Sequence, residues 1–352
     1  MSETKTKPTP PTLADFELGE ELAWGSLATI VDVVFKRNQK HYALKILNKA
    51  QLVKKKVIRS ALIEKDALIA LGTRPNPHQG IVRLHHCFQD NTHLYFALDL
   101  ATHGDLKALV LKLGSVSLDC ARFYTAQMVD AVQYLHVSGI SHRDIKPENV
   151  LLDAEWRIKL CDFGCAWVGT PKDMDVSRTN TFVGTAAYIS PELLERSKSH
   201  PTSPDLWAIG CTLHFFLFGA SPFLAATDYL TMKRVREQDY SIPEACDANA
   251  ASLIRALLVS DPTERLGVSP KSSPSKLRQH PFFVGHPTKG TDGGSQNVAS
   301  SPQKRWLTVE WEALWTKPAP EIEVGPYRIK PQQPVETDDL WESFEGLEIV
   351  KE

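Results

Sequence analysis

Residues 142–149 read His142, Arg143, Asp144, Ile145, Lys146, Pro147, Glu148 and Asn149, and Asp162, Phe163 and Gly164 follow downstream. No other feature constrains the fold as tightly, because these two segments do chemistry only when packed loops hold them together. An Asp in such a run orients and deprotonates a hydroxyl. A Lys two residues on sits by a transferring phosphoryl group, and an Asn five residues after the Asp binds magnesium. Asp162 supplies a second magnesium ligand. Any surface loop can carry Asp, Lys and Asn, but eight residues in this order with the second motif correctly placed point to phosphoryl transfer.

The flanking pattern shows how such a loop is held. Ala121, Tyr124, Met128, Ala131 and Leu135 recur every three or four residues, which predicts a packed helix delivering the chain to His142. In the first hundred residues the pattern is that of strands, with Tyr42, Leu44 and Ile46 on one face and Ala43, Lys45 and Leu47 on the other. A helix over 57–71, a loop containing Pro75, Pro77 and Gly80, and strands around Val82 and over 95–98 complete a small sheet lobe. At 352 residues the chain suits two lobes plus extensions.

Composition excludes more than it assigns. The formal net charge of -2 leaves no basic excess for nucleic acid. The longest apolar run, 206–218, contains His214 and is too short to cross a bilayer, so it predicts a buried helix. Residues 1–11 are polar and Pro-rich, which predicts a disordered leader and no signal peptide. Residues 287–301 shift to Gly, Ser, Thr and Asn, the composition of a flexible insertion. The six cysteines form no CxxC pair, which fits reduced thiols in a cytoplasmic protein.

The two motifs resemble those of eukaryotic protein kinases. That resemblance implies an α+β bilobal kinase fold, with a small antiparallel-sheet N-lobe carrying one main helix and a larger, mostly helical C-lobe. It also implies ATP and Mg2+ as cofactors. By the same resemblance Lys45, in the run Tyr42, Ala43, Leu44, Lys45, grips the α and β phosphates and pairs with Glu64 on the predicted helix. Leu98 is the gatekeeper, Asp99 to Ala101 the hinge that bonds adenine, Ala43 part of the nucleotide pocket, and Asp105 a candidate for the ribose hydroxyls. The glycine-rich loop departs from the family pattern. Its aligned stretch is Ala23, Trp24, Gly25, Ser26, Leu27, Ala28, Thr29, Ile30, so only the middle glycine is kept. Each replaced glycine adds a Cβ near a backbone that approaches phosphate, and alanine disfavours positive φ. Weakened ATP affinity is the expectation, and a non-catalytic pseudokinase scaffold is the rival reading.

Residues 179–192 narrow the resemblance to the 3-phosphoinositide-dependent protein kinases of the AGC group. Phe88 to Asp90, Leu94 to Phe96, Arg122 to Ala126 and Ser203 to Trp207 agree with it. The likeness covers about residues 15–283 and more weakly 311–320. By it, Thr181 is the activating phosphorylation site, its phosphate paired by Arg143, and Thr185 bonds Asp144 and Lys146. Trp167 and Ile63 stand where the family has basic residues to share that phosphate. Glu192 with Arg265 matches a buried ion pair, and Asp205 matches the aspartate anchoring the catalytic loop. The implied domains are a leader 1–15, a kinase domain 16–283 divided at 101/102, an insertion 284–304 and an AGC-type tail 305–352. No room is left for the family's lipid-binding pleckstrin-homology domain.

The resemblance implies serine/threonine transfer to the activation loops of other AGC kinases, with autophosphorylation of Thr181. Partner kinases dock Phe-rich tails on a small-lobe pocket whose matching positions are Lys49, Leu52, Val53, Ile58, Leu62, Lys65, Gln89 and Leu94. Ordinary core packing accounts equally for its apolar members. The chain's own tail, with Trp341 and Phe344 followed by Glu345, is a possible ligand for the same pocket. A third reading is an AGC kinase that is itself a client of such an upstream enzyme.

Overall fold

The alternation of the first hundred residues builds a five-stranded antiparallel sheet. Its strands are β1 (Phe16–Trp24), β2 (Ala28–Phe35), β3 (Lys40–Asn48), β4 (Leu84–Gln89) and β5 (His93–Leu98), in the order β1-β2-β3-β5-β4. The structure is a computed structural model and describes residues 10–25, 27–169, 186–195, 201–285 and 308–327. Period two sorts β3 as expected: Tyr42 and Leu44 join Phe16, Val33, Phe35, Phe88 and Tyr95 in an outer cluster, while Leu47 belongs to the main core. Lys45 stands mid-strand, opposite Ile30 on β2 and Phe96 on β5.

Two helices follow β3. The short α1 (Lys49–Lys54) starts at Asn48, whose side chain accepts from the Gln51 amide at 3.0 Å. The expected helix over 57–71 is α2 (Ile58–Gly72). Ala61, Glu64, Ala67, Leu68 and Leu71 are its buried residues, so the stripe that packs α2 on the core also carries Glu64 inward.

The expected leader 1–15 is too long at its end. Leu13–Asp15 forms a 3-10 turn, Asp15 bonds Arg37 at 2.9 Å, and Leu13 packs against the outer cluster. These local contacts order the last residues of the expected leader.

In the large lobe, α3 (Leu106–Leu113) and α4 (Leu118–Val137) lead to the catalytic loop. All five periodic residues of α4 are buried. The strands β6 (Ile140–Ser141) and β9 (Trp167–Val168) pair, as do β7 (Val150–Leu152) and β8 (Ile158–Leu160). After α5 (Pro191–Leu194), the apolar run becomes α6 (Ser203–Phe218), buried at every residue. It ends at Gly219 with φ +72°, where a Cβ would lie 2.1 Å from the Gly114 carbonyl oxygen, so glycine is required. The outer helices are α7 (Asp228–Glu237), α8 (Ala248–Leu257), α9 (Pro274–Arg278) and α10 (Pro281–Val284).

The segment 308–327 runs back over the lobe. The Trp315 indole donates to Asp130 Oδ2 at 2.6 Å, and the Tyr327 hydroxyl donates to the Ala245 carbonyl at 2.6 Å. The insertion expected at 284–304 lies almost wholly outside the described residues. Among those described, no helix is long and apolar enough to cross a membrane.

Candidate active site

Asp144, Lys146 and Asn149 meet because the chain turns tightly between β6 and β7. Lys146 Nζ and Asn149 Nδ2 both donate to Asp144 Oδ2, at 2.9 Å each. Asn149 Nδ2 also donates to the Asp144 backbone carbonyl at 2.8 Å. Both side-chain bonds fall on one oxygen, so Asp144 Oδ1 is the one left to meet a hydroxyl. Burial raises the Asp144 carboxyl above its ordinary range, and Lys146 opposes that shift without cancelling it.

Asp205 holds this loop from below. Its Oδ1 accepts the Arg143 amide at 2.7 Å, and its Oδ2 accepts the His142 amide at 2.9 Å and meets His136 Nε2 at 2.8 Å. These bonds fix Arg143 at φ +64°, a left-handed conformation that a β-carbon disfavours. Burial pushes the Asp205 carboxyl up, but the donors outweigh it and its pKa lies below the ordinary value. His142 Nε2 reaches the Cys161 carbonyl at 2.9 Å and its ring lies 4.7 Å from Phe163, tying the catalytic loop to Asp162. Sequence reasoning missed His136 and His142 as supports. His136 ends the α4 run and His142 opens the catalytic-loop motif, and nothing in the spacing separates a bonded histidine from a packed one.

On the small-lobe side, Lys45 Nζ donates to Glu64 Oε1 and Oε2 at 2.6 and 2.7 Å and stands 3.6 Å from Asp162 Oδ1. Burial works against the Lys45 charge, yet Glu64 and Asp162 outweigh it and hold its pKa above the ordinary value. Lys45 in turn is the largest influence keeping Asp162 below the usual carboxylate range. Asp162 adopts φ +62°.

The nucleotide positions form one wall. Ala23 faces Ile30 across the β1–β2 pair, Ile30 faces Lys45, and Ala43 faces Leu98. The Asp99 amide donates to the Arg83 carbonyl at 3.1 Å, and its carboxylate binds His85 Nε2 at 2.7 Å and Lys159 Nζ at 3.0 Å. The backbone running on to Ala101 therefore starts from a fixed point. Asp105 caps α3, accepting from the Ala108 amide at 2.8 Å.

Neither alanine of the phosphate loop is strained by its backbone. Ala23 and Ala28 are strand residues, paired with Ile30 and Leu47, and neither has positive φ. Alanine costs nothing in an extended conformation. Gly25 closes the turn, its amide donating to the Ala28 carbonyl at 2.9 Å.

Arg143 projects its guanidinium over the Trp167 ring at 5.8 Å, and its Nε is buried without a hydrogen-bond partner among the described residues. Thr181 and Thr185 lie outside the described residues, as do Trp341 and Phe344. Of the docking positions, Val53, Ile58 and Leu62 are exposed, and Leu94 is half-buried. Gln89 is exposed, Lys65 pairs with Asp66 at 3.2 Å, and Lys49 donates to the Asp90 carbonyl. Leu52 is a core residue, 3% exposed, so ordinary core packing accounts for it.

The oxygens present suit magnesium. Asn149 commits its nitrogen to Asp144, leaving Oδ1 for a ligand, and Asp162 is held ionised. Two hard oxygen donors, completed by phosphate and water, are what this ion takes from a protein.

A two-lobed fold with a lysine–glutamate pair facing an Asp–Lys–Asn loop defines a class, and the sequence comparison agrees. The family model for the protein kinase domain matches residues 16–283, and the chain belongs to that family. It is 41% identical over 269 residues to 3-phosphoinositide-dependent protein kinase 1 of Rattus norvegicus, covering 76% of this chain and 47% of that protein. Serine/threonine-protein kinase PKH1 of Saccharomyces cerevisiae is 36% identical over 353 residues, covering 96% of this chain and 42% of the relative. Serine/threonine-protein kinase ksg1 of Schizosaccharomyces pombe is 39% identical over 284 residues, covering 78% and 46%. The chain spans about half the length of these relatives.

Proposed function

We propose that this chain is a serine/threonine protein kinase that transfers the γ-phosphate of ATP to activation-loop Thr or Ser residues of other AGC kinases, and to its own Thr181. The convergence of Lys146 and Asn149 on one oxygen of Asp144, with Asp162 beside the Lys45–Glu64 pair, carries this reading.

In this mechanism Asp144 Oδ1 receives the substrate hydroxyl and orients it for in-line attack, taking its proton as the new P–O bond forms and the bond to ADP breaks. Lys146, anchored by Asp144, neutralises the transferring group. Lys45, held by Glu64, fixes the α and β phosphates, and Ile30, Ala43 and Leu98 pack the adenine against the hinge 99–101, with Asp105 beside the ribose. Asn149 Oδ1 and Asp162 would hold magnesium, which screens the charge on the β and γ phosphates when bound. Catalysis here is positioning and charge stabilisation, and the fold supplies both before substrate arrives.

Arg143 supports the regulatory part: a half-buried arginine over Trp167, its Nε without a partner among the described residues, is suited to pair a phosphate on Thr181. Val53, Ile58, Leu62 and Leu94 offer apolar surface for the aromatic tails of partner kinases. The assembled Lys45–Glu64 pair and Asp144–Lys146–Asn149 loop favour catalysis over the scaffold reading. The test is transfer to an activation-loop peptide containing Thr-Phe-Cys-Gly-Thr, against a scrambled control. An appended aromatic tail is expected to lower KM for the wild type and not for Leu62→Asp. Equal rates on both peptides would overturn the substrate assignment, and an unaltered tail effect in Leu62→Asp would overturn the docking surface.

A further inference from the structure

Glu148 stands beside the reacting groups without a part in the transfer itself. It lies in the 3-10 turn Pro147–Asn149, between Lys146 and Asn149. Its Oε1 accepts from Lys107 Nζ at 2.8 Å, although Lys107 is 41 residues away in sequence, on the first turn of α3. Its Oε2 is buried with no hydrogen-bond partner among the described residues. Glu148 is close enough for its charge to act on both Lys146 and Tyr188. It therefore lies on the side of the catalytic loop that faces the 3-10 turn Ala186–Tyr188.

A polypeptide substrate has to cross this place. Its hydroxyl must reach Asp144, so the residues next to the acceptor pass along the turn that carries Glu148. An unpaired carboxylate there would select substrates with lysine or arginine beside the acceptor, since opposite charges across a contact fix register and partner choice. Here the carboxylate already has its cation.

We infer that Lys107 is a specificity-determining residue: by pairing with Glu148 it cancels the demand for a basic residue beside the phosphoacceptor and leaves the site open to uncharged sequences. This rests on the kinase reading above. The Lys107 side chain is 45% exposed and that of Glu148 27%. A pair at this exposure adds little to folding, so the charge at 107 can be changed without loss of the structure.

The experiment uses the full chain as wild type, Lys107→Arg, Lys107→Ala, Lys107→Glu and the double variant Lys107→Ala/Glu148→Gln. Each is assayed on an uncharged activation-loop peptide and on a set with one arginine moved through the positions flanking the acceptor. The readout is the ratio of kcat/KM for each arginine peptide to that for the uncharged one. Wild type and Lys107→Arg should give ratios near one throughout. Lys107→Ala should raise the ratio at one flanking position by about fivefold, the upper range for a partly exposed ion pair, and Lys107→Glu should raise it further. Adding Glu148→Gln should abolish the gain. A merely structural tie between α3 and the loop would change rates on all peptides together. Unchanged ratios in both Lys107→Ala and Lys107→Glu, with transfer to the uncharged peptide intact, would overturn the inference. So would a wild type that already prefers arginine, or a gain that survives Glu148→Gln. No transfer by the wild type to any peptide would instead overturn the kinase reading, and this inference with it.

Discussion

Replacing Arg265 with methionine should destabilise the large lobe far more than the lost contacts alone. Arg265 is fully buried and donates to Glu192 Oε1 at 2.6 Å, Glu192 Oε2 at 3.1 Å, the Ser203 carbonyl at 2.7 Å and the Val259 carbonyl at 2.8 Å. Its guanidinium also lies 5.2 Å from the Trp207 ring centroid. Methionine keeps much of the volume but removes the counter-charge from a carboxylate whose side chain is only 1% exposed. Breaking a buried pair from one side costs about 3–5 kcal/mol, because the remaining charge stays desolvated. In a lobe of this size that corresponds to a fall of roughly 10 °C in Tm. Urea unfolding of wild type, Arg265→Met, Glu192→Gln and the double variant gives the coupling directly. The double variant should be more stable than the sum of the single losses implies. Losses that simply add, or a cost below about 1 kcal/mol for Arg265→Met, would refute the reasoning that desolvated charge dominates.

Other expectations follow from named contacts. A Cβ at Gly80 would meet Trp315 Cη2 at 2.3 Å. Gly80→Ala should therefore lower the urea midpoint by an amount equivalent to about 1–3 kcal/mol, and adding Trp315→Ala should relieve the clash. Glu64→Gln removes the charge that holds Lys45, so KM for ATP should rise on the order of tenfold in steady-state assays while the fold persists by circular dichroism. Burial raises the Asp144 carboxyl. A base with a raised pKa becomes protonated earlier as the solution is acidified, so transfer should fail on the acid side above the ordinary aspartate value of about 4. A kcat profile flat down to that value would contradict it.

Much of the fold was legible because periodicity reports burial directly. Tyr42 and Leu44 against Leu47 sorted the two faces of β3, and the spacing of Ala121 through Leu135 located the helix that feeds the catalytic loop. The reacting residues were legible because Asp144, Lys146 and Asn149 are close in sequence, so a single turn brings them together. What escaped depends on long-range partners. Nothing marks His136 as a partner of Asp205, 69 residues on, or Lys107 as a partner of Glu148. Docking and core packing stay open alternatives for Leu52 in the sequence, because an apolar residue at a helix start reads the same whether it faces a groove or the core, and its burial in the main core shows core packing there. At Ala23 and Ala28 a missing glycine costs backbone strain only where φ is positive, which the sequence does not show, and both residues lie in extended strand.

The central claim is that Asp144 and Asp162, with Lys45 and Asn149, form a working phosphoryl-transfer site. It is tested most directly by following radiolabelled γ-phosphate from ATP into an activation-loop peptide, with and without magnesium, for the wild type, Asp144→Asn and Asp162→Asn. Incorporation by the wild type that requires magnesium and disappears in both variants, while their thermal unfolding stays cooperative, is the predicted result. Equal incorporation by Asp162→Asn, or none by a folded wild type at saturating ATP, would contradict it.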